Sequence, residues 1–283
     1  GAQLERARAS AVAASTASVE GLARTAPLLS RGSLNRGTRS NLSAPMDAFF
    51  GREEELEDLA NRVSGGQRLI TVVGSAGTGK TRLAKRFGAQ VVGDLGGGTW
   101  FCDLCEARGE SGILSAVGAA LGVRLTGEDP ATQLAEAMGR RGRSLVILDN
   151  FEHVAEHAVA TLGRWLQAAP EAVFLVTSRA LLHLTGEEAF YLDPLPTEEA
   201  VVVFYDRARA VQPEFERTPE NEGVIRDIVE RLDGVLLAIE LAAARVRLLT
   251  PEAIRDRLSQ RFKLLRGARR GQAERHATLQ SAI

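Results

Sequence analysis

The stretch "GSAGTGKT", Gly74–Thr81, follows "RLITVV" (68–73) and precedes "RLAKRF" (82–87). The first flank is a short β-rich run that ends at glycine; the second continues with helical spacing. A strand, a glycine loop and a helix in that order give the pattern G-x-x-x-x-G-K-[ST] the context in which it holds nucleotide phosphates. Gly74, Gly77 and Gly79 let the backbone turn tightly and aim its N–H groups inward, with Ser75, Ala76 and Thr78 between them. The helix that begins near Lys80 adds the positive end of its dipole. Lys80 is expected to reach the β and γ phosphates, and the Thr81 hydroxyl to ligate Mg²⁺.

Outward from this loop the chain alternates. "GTWFCDL" (98–104), "SLVILDN" (144–150), "AVFLVTSR" (172–179) and "AFYLDPL" (189–195) read as further strands, with amphipathic stretches such as "HVAEHAVATLGRWLQ" (153–167) between them. Near-continuous apolar strands alternating with helices predict an α/β domain with a parallel sheet covered on both faces. After Pro196 the strand pattern stops. Thr197, Thr218 and Thr250 each precede an acidic first turn, the latter two with proline at the first helical position, so three helix starts are predicted. "VLLAIELAAARVRLL" (235–249) is apolar nearly all round and is expected at the buried centre of a small all-α bundle. The predicted organisation is a linker over 1–46, a P-loop domain over 47–196, a helical domain over 197–270 and the start of a further domain over 271–283.

The third strand runs through four apolar residues into Asp149, where a buried carboxylate completes an Mg²⁺ site with Thr81. Asn150 follows, where many P-loop ATPases place a second acid; an amide orients a water but does not take its proton, which predicts slow hydrolysis. Glu152 and His153 in "DNFEH" are nearby substitutes. Arg179 ends the fourth strand, on the carboxyl edge where open α/β sheets bind ligands. It is either a sensor of the γ-phosphate or an exposed arginine after a strand.

Composition narrows the field. The 283 residues carry a formal net charge of −1 and 45% hydrophobic residues. That is enough for two cores, and it gives no basic excess to suggest direct nucleic-acid binding. The richest apolar run is too short for a membrane span and contains Glu240. Without a signal-peptide pattern or a disulfide framework, a cytoplasmic location is expected. Cys102 and Cys105 have C-x-x-C spacing but no second pair, and His157, His183 and His276 show no ligand spacing. Residues 1–46 are rich in Ala, Ser, Gly and Arg and read as a tether. Arg31, Arg36 and Arg39 within it are candidates for touching an acidic partner.

With "FFGREEEL" (49–56), "GSAGTGKTRLA", "LVILDNFEHV", "TSR", "LHLTGEEAFYLDPLPTEEAVVVF" and "LDGVLLAIELAAARVRLLT", the chain from residue 41 to 283 resembles the STAND class of P-loop ATPases, within it the NB-ARC-like bacterial regulators. The resemblance implies ATP and ADP as ligands with Mg²⁺ as cofactor. It places Phe50, Gly51 and Arg52 over the base and ribose, adds Arg82 to the nucleotide contacts, and sets the Arg179 strand between the strands of Lys80 and Asp149. It implies that the helical domain clamps the nucleotide, with Leu236 standing where the family has a proline near the adenine. ADP is expected to hold a closed form, and ATP an open form that assembles into homo-oligomers. A winged-helix domain, begun at "ERHATLQSAI", and repeat sensors are the partners expected in cis, with this stretch alone a monomer. A DNA-loading or remodelling ATPase of the AAA+ type is the alternative; a small-molecule kinase ranks third.

Overall fold

The computed structural model describes residues 40–43, 49, 51–126 and 129–267. The expectations for the rest of 1–46, for Phe50, for His276 and for the domain start at 271–283 lie outside the described residues. The elements in order are α1 (Glu53–Ser64), β1 (Leu69–Val73), α2 (Lys80–Val91), β2 (Thr99–Asp103), α3 (Gly109–Leu121), α4 (Pro130–Arg141), β3 (Leu145–Asp149), α5 (Arg164–Ala168), β4 (Val173–Ser178), β5 (Glu187–Tyr191), α6 (Thr197–Val211), α7 (Pro219–Arg231), α8 (Leu236–Ala243) and α9 (Pro251–Gly267).

The five strands form one parallel sheet in the order β2-β3-β4-β1-β5. The Arg179 strand therefore lies between the strands of the phosphate loop and of Asp149, as the resemblance implies. β3 and β4 are buried along their whole length, which is why they read as unbroken apolar runs. The side-chain period of two sends their residues to opposite faces. Val146, Leu148, Phe174 and Val176 join Trp165, Phe151 and Ile113 in one core. Leu145, Ile147, Val173 and Leu175 join Leu59, Leu83 and Phe87 in another. Each such buried side chain contributes about 1.5–3 kcal/mol of transfer free energy. A third core, around Phe204, Ile228 and Ile239, belongs to the helices after Pro196. The fold is a P-loop α/β domain followed by a helical region. Among the described residues no helix is long and apolar enough to cross a membrane.

α6 starts at Thr197 as expected, with Pro196 as its cap and no side-chain bond, and Thr218 forms a full capping box with Asn221. Three local expectations are corrected. The helix expected over 153–167 is broken into a 3₁₀ turn (Phe151–His157), a π turn (Val159–Gly163) and α5. Within the π turn the Thr161 hydroxyl donates to the His157 carbonyl at 2.8 Å, a back-bond of the kind that bends helices. The apolar run 235–249 is not buried all round: α8 ends at Ala243, and Leu248 is 75% exposed. Residues 40–43 are no free tether, since Ser40 bridges Thr99 and the Asn41 side-chain amide donates to the Phe101 carbonyl at 2.8 Å and accepts from its N–H at 2.7 Å. An edge strand presents unpaired backbone groups, and this amide satisfies two of them.

A candidate nucleotide site at the carboxyl edge of the sheet

The paired register sets Val73 beside Ser178 and Asp103 beside Asp149, so the ends of four strands form one ledge. From it rises the phosphate loop. Gly77 (φ +81°) and Gly79 (φ +97°) occupy the left-handed region that glycine tolerates, and Gly79 caps α2. The Thr78 hydroxyl donates to the Ser75 carbonyl at 3.0 Å and fixes the loop's width around Ala76. The Lys80 ammonium donates to the carbonyls of Gly74 at 2.9 Å and Ser75 at 3.0 Å. Burial holds it below the ordinary lysine value; the Glu152 carboxylate opposes that, Arg179 adds to it, and Asp149 opposes it in turn.

At the next residue, the Thr81 hydroxyl lies 2.8 and 2.9 Å from the two Asp149 carboxylate oxygens. Thr177 donates to Asp149 Oδ1 at 2.5 Å and accepts from the Asn150 N–H at 3.0 Å. Burial raises Asp149 above the usual carboxylate range, and the bonds from Thr177 and Thr81 pull it back. A hydroxyl and a carboxylate converging beside a phosphate loop fit Mg²⁺, which takes one or two protein oxygens and completes its shell with phosphate and water. No group of three or more His, Cys, Asp or Glu placed to hold a metal occurs among the described residues, so the remaining ligands would come from the nucleotide.

Asn150 sits in the left-handed region (φ +61°). Its amide donates to Asp149 at 3.1 Å and to Asp103 at 3.3 Å. Arg179 donates from Nε to Glu152 at 3.1 Å, while His153 is exposed. Cys102 is buried, with its thiol pushed up to about 12, and Cys105 is exposed; both are free thiols.

Beside the loop a cleft is lined by Phe49, Arg52, Thr78, Gly79, Arg82 and Leu236, among others. Arg52 is buried, and its guanidinium bonds Glu55 and the Asp193 carbonyl. Gly51 lies so close to Glu199 that a Cβ there would sit 2.2 Å from the carboxylate. The helical region reaches the loop itself: the Leu237 N–H donates to the Gly77 carbonyl at 3.0 Å. A Cβ on Gly79 would lie 2.9 Å from Leu236. Glu240 on α8 pairs with Arg82 at 2.7 Å and with Arg207 at 3.2 Å. The structure thus brings Lys80, Thr81, Asp149, Asn150 and Arg179 to one ledge and Arg52, Arg82 and Leu236 to the adjoining cleft. Thr177, at the end of the same strand as Arg179, bonds Asp149 on that ledge; Asp103, along with Glu199, Leu237 and Glu240 from the helical region, joins them without having been singled out.

Residues 62–185 match the family model described as an AAA domain. The α/β part has the fold of a P-loop, AAA-like domain. An uncharacterized Mycobacterium tuberculosis protein, Rv0894, is 35% identical over 237 residues, 83% of this chain and 59% of that protein. A second M. tuberculosis protein, Rv0890c, named provisionally an HTH-type transcriptional regulator, is 40% identical over 219 residues, 76% of this chain and 24% of its own. The chain therefore spans only part of the length of these relatives. Among solved structures, Cdc6p of Pyrobaculum aerophilum superposes with a TM-score of 0.55 at 16% identity, covering 72% of this chain and 63% of that one. At that identity the likeness is one of fold.

Proposed function

We propose that the chain is the ATP/ADP-operated switch of a bacterial, cytoplasmic regulator of the STAND class, with slow ATP hydrolysis returning it to rest. The observation that carries this reading is the seat of α8 on the phosphate loop, through Leu237 on Gly77 and Leu236 on Gly79. A change in the phosphates alters the loop, and the loop is bonded to the helical region; occupancy is thereby converted into the position of a second body. The regulator name carried by one relative is in keeping with this.

In this reading the loop N–H groups and Lys80 hold the β and γ phosphates, Lys80 exchanging the carbonyls of Gly74 and Ser75 for phosphate oxygens. Thr81 and Asp149 hold Mg²⁺, which neutralises phosphate charge. Thr177 orients the Asp149 carboxylate and the Asn150 backbone. Arg52, Arg82 and Leu236 frame the base and ribose. Arg179 faces the terminal phosphate and distinguishes ATP from ADP. Winged-helix and repeat sensor segments in cis, and further copies on activation, are the partners proposed for the whole protein.

Limited proteolysis between α6 and the sheet, with ADP or a non-hydrolysable ATP analogue bound, tests the switch. ADP is expected to protect the junction near Pro196 and the ATP analogue to expose it. Identical cleavage with both nucleotides contradicts a switch.

A further inference from the structure

The acid missing at position 150 has a candidate replacement in space. Asn150 cannot take a proton at neutral pH, and its amide is occupied by Asp149 and Asp103. Its left-handed backbone turns the chain directly into the 3₁₀ segment whose second residue is Glu152. The Glu152 side chain is only 16% exposed. One carboxylate oxygen accepts from Arg179; the other is buried with no hydrogen-bond partner. A buried carboxylate oxygen without a donor is expensive, and in a native site it marks a place for a water or a reacting group. The arginine that holds its first oxygen follows Ser178, whose strand end pairs with Val73 at the start of the phosphate loop, so the carboxylate lies on the same ledge as the loop. The other acids nearby are committed. Asp149 accepts from two hydroxyls and Asn150. Asp103 is exposed and accepts from Asn150 and the Cys105 N–H.

We propose that Glu152 is the proton acceptor for the water that hydrolyses ATP in this site, and that Arg179 holds it idle until a terminal phosphate arrives. The inference rests on the nucleotide-switch reading. The Arg179 guanidinium has five N–H donors and spends one on Glu152; a phosphate offers it a more highly charged acceptor. Its shift to the phosphate releases Glu152 toward the water. The water oxygen then bonds the terminal phosphorus. The bond from that phosphorus to the bridging oxygen breaks, its electron pair leaving with ADP. The water's proton passes to the Glu152 carboxylate and from there to solvent. A base shared with an arginine hydrolyses slowly, as a resettable switch requires.

The test uses the whole chain with E152Q, E152D, R179A and D103N. Three quantities are read: affinity for fluorescent ATP and ADP, phosphate release in a single turnover, and the nucleotide recovered from denatured complex. E152Q is expected to bind ATP within about threefold of the parent. It should release phosphate on the order of 100-fold more slowly, and so yield ATP where the parent yields ADP. E152D should fall between them. R179A is expected to lose about tenfold in ATP affinity with ADP affinity kept. Parental phosphate release by E152Q overturns the proposal, as does slowing in D103N with E152Q unaffected. A parent that binds ATP but never cleaves it overturns the proposal and spares the nucleotide site. A parent that binds no nucleotide overturns both.

Discussion

The backbone N–H of Leu237 donates to the carbonyl of Gly77 at 3.0 Å, so the helical region is hydrogen-bonded to the phosphate loop and not merely adjacent to it. Around that bond Leu236 contacts Gly79, and Glu240 bridges Arg82 and Arg207. The two parts of the chain meet where a nucleotide's phosphates and base would lie.

Lys80→Ala is expected to remove a charge-assisted contact worth about 2–3 kcal/mol, on the order of 100-fold in nucleotide affinity. Because Lys80 also bonds the carbonyls of Gly74 and Ser75, the empty protein should melt slightly lower. Isothermal titration and thermal melting check both. Unchanged affinity would remove the loop from the site.

Two glycines should separate loop chemistry from domain packing. Gly79→Ala forces a left-handed alanine at a cost of about 1–2 kcal/mol, and its methyl meets the movable end of Leu236. Gly234→Ala has the same backbone strain (φ +67°), but its methyl would lie 2.2 Å from the Leu195 carbonyl, which cannot rotate away. Urea denaturation should therefore rank Gly234→Ala as the more damaging. Nucleotide titration should rank Gly79→Ala as the worse binder.

Thr177→Val keeps the shape and removes the hydroxyl that donates to Asp149 and accepts from Asn150. It leaves the part-buried Asn150 N–H without that partner, a loss of about 1 kcal/mol. The magnesium-dependent part of ATP affinity should drop while ADP binding in chelator stays. Equal losses in both conditions would place Thr177 outside the metal site.

Glu240→Gln should loosen the seat of α8. The Arg82–Glu240 pair is about one-third exposed on both sides, which limits it to roughly 1 kcal/mol, or about fivefold in release rate. Stopped-flow release of a fluorescent ADP reads this directly. No change would detach the Arg82–Glu240–Arg207 bridge from nucleotide retention.

Glu199 supplies a pH test. Burial above the Gly51–Arg52 turn raises its carboxyl above the ordinary 4.5; Arg52 opposes that, and Glu55, Glu53 and Glu54 add to it. The folded chain holds this proton more firmly than the unfolded one. Stability is therefore full below pH 4.5 and falls as pH rises through the folded value. Glu199→Gln should raise Tm at neutral pH, and the gain should vanish in acid. A gain that grows in acid would reverse the assignment.

The loop and its flanks were legible because strand, glycines and helix are consecutive, and each residue's duty is local. The Asp149 strand was legible as an apolar run ending in an acid. The place of Thr177 at the crevice was legible from the end of its strand, but its bonds to Asp149 and Asn150 exist because β4 lies beside β3, and no spacing along the chain reveals those. The Glu240 bridge and the Leu237 bond join segments far apart in sequence, so they depend on where the third core sets α8. Asn41 looked like part of a polar tether, since a side chain that completes a sheet edge has the composition of a linker. The break at Thr161 was hidden because a back-bonded threonine fits the helical period while bending the helix.

The most direct test of the switch is to denature freshly purified chain and identify the nucleotide released. The account predicts ADP near one per chain, retained by the loop and the α8 seat. A chain that emerges empty and turns over added ATP rapidly would contradict it, because such a site works continuously and does not wait.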